Sequence, residues 1–130
     1  MMNVSDYMRT ELQVVTPGTT LAEAAYLMVM LGCSQLPVVD SQQRLIGVVT
    51  SQDVSAAAAA LRENDGPEVR LRMRVAHCMT EDPVTVAPQT SIYRAVALLL
   101  AYPFGALPVV VNEMVVGMLR ARDLLHPVGT

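Results

Sequence analysis

Apolar residues along this chain change their spacing at regular intervals, and the spacing sets the elements. Leu21, Ala24, Ala25, Met28 and Leu31 recur at helical intervals behind Thr20 and Glu23, a capping-box pair, and Gly32 ends the run. Leu36-Pro37-Val38-Val39 reads as a short buried strand, Asp40-Ser41-Gln42-Gln43 as a hairpin turn, and residues 45–50 as the strand that pairs back. A second helix is predicted over residues 51–61, where the alanines at 56–60 supply high helix propensity. Ahead of these, residues 4–8 form a lead-in turn and residues 13–16 a brief strand broken by Pro17-Gly18.

The same order then returns. Val4, Met8, Val15, Pro17, Thr19, Ala24, Leu27, Leu36, Pro37, Val38 and Val39 find identical residues 71 positions on. The partners are Val75, Met79, Val86, Pro88, Thr90, Ala95, Leu98, Leu107, Pro108, Val109 and Val110. One residue is lost in the hairpin turn, after which an offset of 70 pairs Gly47 with Gly117 and Asp53 with Asp123. Asn64-Asp65-Gly66-Pro67 is the clearest break. The expected division is a first repeat over 1–63, a linker over 64–74 and a second repeat over 75–130.

The second repeat is predicted as a strand at 84–86, a helix at 91–101, a strand at 107–111, a turn at Asn112-Glu113 and a strand at 115–119. His126-Pro127 and Gly129 curtail its last helix, leaving one flank thinner and open to another subunit or to further chain. Each half is thus β-α-β-β-α. A three-stranded sheet with helices on one face leaves its other face bare, and two halves packed face to face cover it. The expected class is α/β in the α+β sense: two pseudo-twofold related repeats packed through their sheets.

Composition narrows the possibilities. At 130 residues the halves form one compact unit with a shared core. The chain is 52% hydrophobic but 4% aromatic, so that core is built from Val, Leu and Ala, with nine Met as aliphatic filler. A net charge of −3 speaks against a nucleic-acid face, and Arg70, Arg72 and Arg74 read as a solvated linker. The most apolar run, 95–101, is far shorter than the roughly 20 residues of a membrane span, and no basic-then-apolar leader opens the sequence. A cytoplasmic protein without membrane contact is expected. Cys33 and Cys78 match no zinc-ligand spacing, and the neighbours His77 and Cys78 are badly placed to share an ion, so no metal is expected. No Ser/His/Asp, Cys/His or glycine-rich phosphate-loop constellation is present, and catalysis is not expected.

Candidate chemistry lies in two turns. Gly47-Val48-Val49-Thr50-Ser51-Gln52-Asp53 and Gly117-Met118-Leu119-Arg120-Ala121-Arg122-Asp123 each join a strand to a helix start, where backbone N–H groups and the helix dipole favour an anion. Asp accepts from two sugar hydroxyls, and Thr or Arg donates to phosphate, so the pattern suits a ribose-phosphate ligand. The plainer reading is a cap: Asp near a helix start satisfies orphan N–H groups with or without a ligand. Gly47 and Gly117 fit a close backbone approach.

Val14-Val15-Thr16-Pro17, Leu36-Pro37-Val38-Val39-Asp40 and the Gly47 turn, with Val84-Thr85-Val86-Ala87-Pro88, Leu107-Pro108-Val109-Val110 and the Gly117 turn, resemble a tandem pair of cystathionine β-synthase (CBS) domains, a Bateman module. The likeness runs over residues 4–125. It implies a regulatory module that binds AMP, ADP, ATP, S-adenosylmethionine or NAD, or in some relatives cyclic dinucleotides. Such a module requires no cofactor and acts through conformational change or self-association.

The resemblance also implies two clefts. In the first, Asp53 would hold ribose hydroxyls and Thr50 phosphate, with Val84 lining the base pocket, Phe104 covering the adenine and Gly105 beside it. The second would combine Arg120 and Asp123 with Gln13, Cys33 and Ser34. Arg120 stands where the family carries Thr or Ser, and so either clamps a polyphosphate or fills the cleft; Arg122 adds charge nearby. A homodimer joined through outer helices such as 51–61, and a regulated partner protein, are implied as well. The alternative is a ligand-free structural dimerisation module.

Overall fold

A computed structural model describes residues 2–61, 65–102 and 105–125. Helix α1 (Leu21–Leu31) starts at Thr20, whose Oγ1 accepts from the Glu23 N–H at 3.0 Å, and closes on a left-handed Gly32. Only this half of the expected capping box is present among the described bonds. Strands β1 (Gln35–Val39) and β2 (Leu45–Thr50) form an antiparallel hairpin, and helix α2 (Ser51–Ala59) continues from β2 without a break. A helix in the linker, α3 (Pro67–Arg72), was not anticipated; Pro67 opens it at a position where no N–H is needed. Then come β3 (Thr80–Glu81), α4 (Ile92–Ala101), the hairpin β4 (Ala106–Val111) and β5 (Met114–Arg120), and a 3-10 helix at Ala121–Leu125. Asn112 and Glu113 both take positive φ, the signature of a tight two-residue hairpin turn. His126, Pro127 and Gly129, expected to stop the last helix, lie outside the described residues.

The strands expected at 13–16 and 84–86 shrink to one parallel bridge each, Val15 to Val38 and Val86 to Val109. Val15 donates to Pro37 O at 3.0 Å and accepts from Val39 N–H at 2.9 Å; Val86 repeats this with Pro108 and Val110 at 3.0 and 2.8 Å. Pro17 and Pro88, two residues further on, have no N–H to extend a ladder.

The two halves exchange their leading segments. Val4, in a 3-10 turn (Val4–Asp6), donates to Thr90 O at 2.9 Å, and Val75, in the matching turn (Val75–His77), donates to Thr19 O at 2.8 Å. Ser5 to Pro88 O and Ala76 to Pro17 O (2.9 and 3.0 Å) form a second reciprocal pair, and Ile92 to Met2 O and Leu21 to Met73 O (3.1 and 3.0 Å) a third. Packing obeys the same exchange. Val75 is buried with Val15, Ala24, Met28, Leu36, Val38 and Val49, whereas Val4 and Tyr7 are buried with Val86, Ala95, Leu107, Val109 and Leu119. Each apolar core is completed by the other repeat.

The exchange continues into the sheets. β3 pairs antiparallel with β2 through Gly47–Glu81 and Val48–Thr80, and Arg9 bridges Met118 of β5 in the same manner. Gly47 and Gly117 permit this: a Cβ there would stand 2.7 Å from Thr80 O and 2.9 Å from Arg9 O, closer than real Cβ atoms come. At the hairpin tips Leu45 donates to Glu113 O at 2.9 Å, joining the halves again.

Candidate functional site

The two strand-to-helix turns occupy equivalent places and differ in chemistry. At the first, Thr50 Oγ1 accepts from the Asp53 N–H at 3.0 Å, and Asp53 Oδ2 accepts from the Thr50 N–H at 2.9 Å. This is a complete capping box, and it opens a regular α-helix. At the second turn Arg120 has no acceptor atom and cannot return the bond. Its guanidinium folds back on the carboxylate instead: Nε reaches Asp123 Oδ2 and Nη2 reaches Oδ1, both at 2.9 Å. The Arg120 N–H also points at Oδ2, at 3.3 Å, and Arg9 Nε approaches Oδ1 at 3.2 Å. This turn opens a 3-10 helix and not an α-helix.

Asp123 is only 3% exposed, under Arg120 at 19% and Arg9 at 57%. Burial pushes its carboxyl up, but the hydrogen bonds from Arg120 and Arg9 outweigh burial and hold it below the ordinary carboxylate value. The same bonds, donated by Arg120 to Asp123, raise Arg120 above its usual range.

In front of this pair opens a cleft of about 1360 Å³. Gln13, Cys33, Ser34 and Arg120, expected together in the second cleft, all line it, and Asp123 sits behind Arg120. Gly105, expected in the first cleft, lines this one too. Ser51 N–H donates to Ser34 O and Ala121 N–H to Gly105 O, both at 2.9 Å, so matching backbone bonds tie the floor together on either side of the pseudo-twofold. Thr50 is buried and Asp53 half-buried beside this floor, where Ser51, Val54 and Ser55 of α2 face the cleft. Val84 packs against the second core. Phe104 lies outside the described residues.

Two cleft contacts have no counterpart in the sequence pattern. Arg9 stands 114 residues from Asp123 and belongs to a lead-in segment that crosses to the other half. Arg122, expected only to add charge nearby, donates through Nη2 to Gly32 O at 2.7 Å, so it crosses the cleft to the C-terminal end of α1, where a cation suits the dipole. Local spacing carried no signal for either contact. Of the linker arginines, Arg74 donates to Gly18 O at 3.3 Å and Arg72 lies 3.7 Å from Glu68. Cys33 and Cys78 are free thiols packed against the first core; burial and the Asp53 charge both push the Cys78 thiol up. No group of three or more metal-ligating side chains occurs among the described residues.

Known proteins give this geometry a context. An uncharacterized 17.7 kDa protein of Acidianus ambivalens is 34% identical over 122 residues, which are 93% of this chain and 70% of that protein. A homoserine O-acetyltransferase of Methanohalobium evestigatum is 30% identical over 93% of this chain, but the chain spans only 23% of that enzyme. Among solved structures, CBSX2 of Arabidopsis thaliana in complex with AMP superposes with a TM-score of 0.80 at 31% identity, covering 96% of this chain and 94% of that one. The sequence pattern of the CBS domain matches residues 4–60 and again residues 75–129. With that motif present twice in tandem and the halves packed through their sheets, the chain belongs to the CBS domain family.

Proposed function

We propose that this CBS pair is a regulatory module that binds an adenosine-containing ligand between its repeats. The observation that carries the reading is the open cleft in which the turn of one repeat faces the leading segment of the other, in a chain 31% identical to a protein solved with AMP. Asp53 and Thr50, with Val84, Phe104 and Gly105, are assigned the ribose, phosphate and base of one ligand. Arg120 and Asp123 with Gln13, Cys33 and Ser34 form the second cleft. In support of the first assignment, Asp53 Oδ1 carries no hydrogen bond among the described residues and is free to accept from a sugar hydroxyl.

AMP, ADP, ATP, S-adenosylmethionine and NAD are the candidate ligands, and the cytoplasm is the compartment that supplies them. Binding biases the angle between repeats, by no more than the ligand's differential affinity for the two arrangements. The output passes to a regulated partner protein or to a second copy of the chain. Exposed Tyr26, Val29 and Met30 on α1, and Tyr93 and Leu100 on α4, offer apolar surface for a homodimer. The reading assigns no reaction to this chain; where relatives are enzymes, the matched segment is a small part of them. Among the described residues no helix is long and apolar enough to cross a membrane.

One observation favours the second reading, a structural dimerisation module: Asp123 is already fully bonded. Thermal shift and calorimetry with the five ligands, on wild type and Asp53→Ala, separate the two. A ligand at a hundred times its Kd adds about 2.7 kcal/mol of stability. A shift lost in Asp53→Ala supports the sensor, and no shift with any ligand leaves the dimerisation module.

A further inference from the structure

We propose that the second cleft selects its ligand by pyrophosphate charge, through Arg9, Arg120 and Arg122, and not by ribose hydroxyls through Asp123. This deepens the nucleotide-binding reading of the same cleft and rests on it for the nucleoside part of the ligand. The acceptor sites of Asp123 are saturated. A carboxylate offers about four lone-pair sites. On Asp123 those sites face four donors: Arg9 Nε and Arg120 Nη2 at Oδ1, Arg120 Nε and the Arg120 N–H at Oδ2. A ribose diol finds no acceptor there unless Arg120 swings away, and that would strand a carboxylate only 3% exposed.

The donor side is left in surplus. Arg9 contacts Asp123 through Nε, Arg120 through Nε and Nη2, and Arg122 contacts Gly32 O through Nη2. Each guanidinium has further N–H groups, and all three side chains line the one cleft. Glu11 also lines the cleft and Asp123 lies behind Arg120, so three arginines face two carboxylates although the chain as a whole carries a net charge of −3. A guanidinium fork matches phosphate oxygens in pairs. A single phosphate leaves part of this set unpaired, whereas two linked phosphates spread their charge over it. Ser34 and Ser51, which line the same cleft, bring neutral hydroxyl donors.

The test is isothermal titration calorimetry on the full chain with inorganic pyrophosphate, inorganic phosphate and adenosine at fixed ionic strength. Wild type is expected to bind pyrophosphate at least about tenfold more tightly than phosphate. Arg9→Ala, at an exposed position, and Arg120→Thr are each expected to weaken it by roughly ten- to hundredfold, as loss of a charge-assisted hydrogen bond implies. Arg120→Thr, which frees Asp123, is expected to gain adenosine binding that Asp123→Ala in the same background removes.

Pyrophosphate binding no tighter than phosphate, or unchanged in both arginine variants, overturns the proposal. If AMP binds and is lost in Asp53→Ala while pyrophosphate does not bind, the sensor reading stands and this inference falls. If pyrophosphate binds through Arg9 and Arg120 while no nucleoside ligand binds, the anion selection stands and the sensor reading falls.

Discussion

The turn at Thr50 and Asp53 and the turn at Arg120 and Asp123 occupy equivalent places in the two repeats, yet they hold their carboxylates in opposite ways. Thr50 is both donor and acceptor, so it and Asp53 satisfy each other's backbone N–H groups and leave a carboxylate oxygen over. Arg120 is donor only, so the carboxylate is taken up by cations, and a residue from the other end of the chain joins in. Arg120, standing where the first repeat has Thr50, together with Arg9 thus replaces a helix cap by a partly buried ion-pair network. The first turn thus leaves an acceptor oxygen unbonded among the described residues, whereas the second leaves guanidinium N–H groups in surplus.

The comparison can be broken most forcefully at Asp123. Asp123→Ala leaves Arg120 half-buried without its partner and is expected to cost about 2–4 kcal/mol, less than a fully buried pair because Arg9 is solvated. Chemical denaturation measures it, and a loss under about 1 kcal/mol would remove the network as a structural element. Gly47→Ala comes next. Its Cβ would meet the Thr80 carbonyl oxygen at 2.7 Å, and a loss of about 1–3 kcal/mol is expected. Gly117→Ala, at 2.9 Å from Arg9 O, should do the same slightly more mildly, and a reversed order would contradict the geometry.

Asp53→Ala removes only a cap, for which a loss of about 1 kcal/mol is expected. Equal losses in Asp53→Ala and Asp123→Ala would show that the two turns are energetically alike after all. The smallest effect is that of Arg9→Ala, at most about 1 kcal/mol in stability, because its side chain is more than half exposed.

Acidity sharpens the contrast. Because the folded Asp123 carboxyl is held below its unfolded value of about 3.9, its contribution is fully present above that pH and is lost as pH falls through the lower folded value. The Tm difference between wild type and Asp123→Asn should therefore shrink as the pH is lowered below about 4. A difference that stays constant down to the end of the acid limb would show that the ion pairs contribute nothing.

Much of the fold was legible because its signals are local. Helix α1 results from the spacing of Leu21, Ala24 and Met28, and both hairpins from short apolar runs around turn residues. The duplication was legible because identical residues stand in register. The two short strands were over-read: valine-rich segments suggest strand, but the prolines just beyond limit each to a single bridge. For the candidate site, Gln13, Cys33, Ser34 and Arg120, expected together, do line one cleft, whereas Thr50, Asp53 and Val84 are not among its lining residues.

By itself, then, the sequence determined the main helices and both hairpins, their duplication and the two turns, since capping, hydrophobic period and turn chemistry act over a few residues. Tertiary structure alone decided which half completes which core. Val4 and Val75 look like lead-ins to their own repeats, and each is buried in the other because the bare faces of two small sheets are covered only by exchange. That same crossing carries Arg9 across the molecule to Asp123. A contact between residues 114 positions apart leaves no periodic trace in a chain, because it depends on how the two halves pack and not on local spacing.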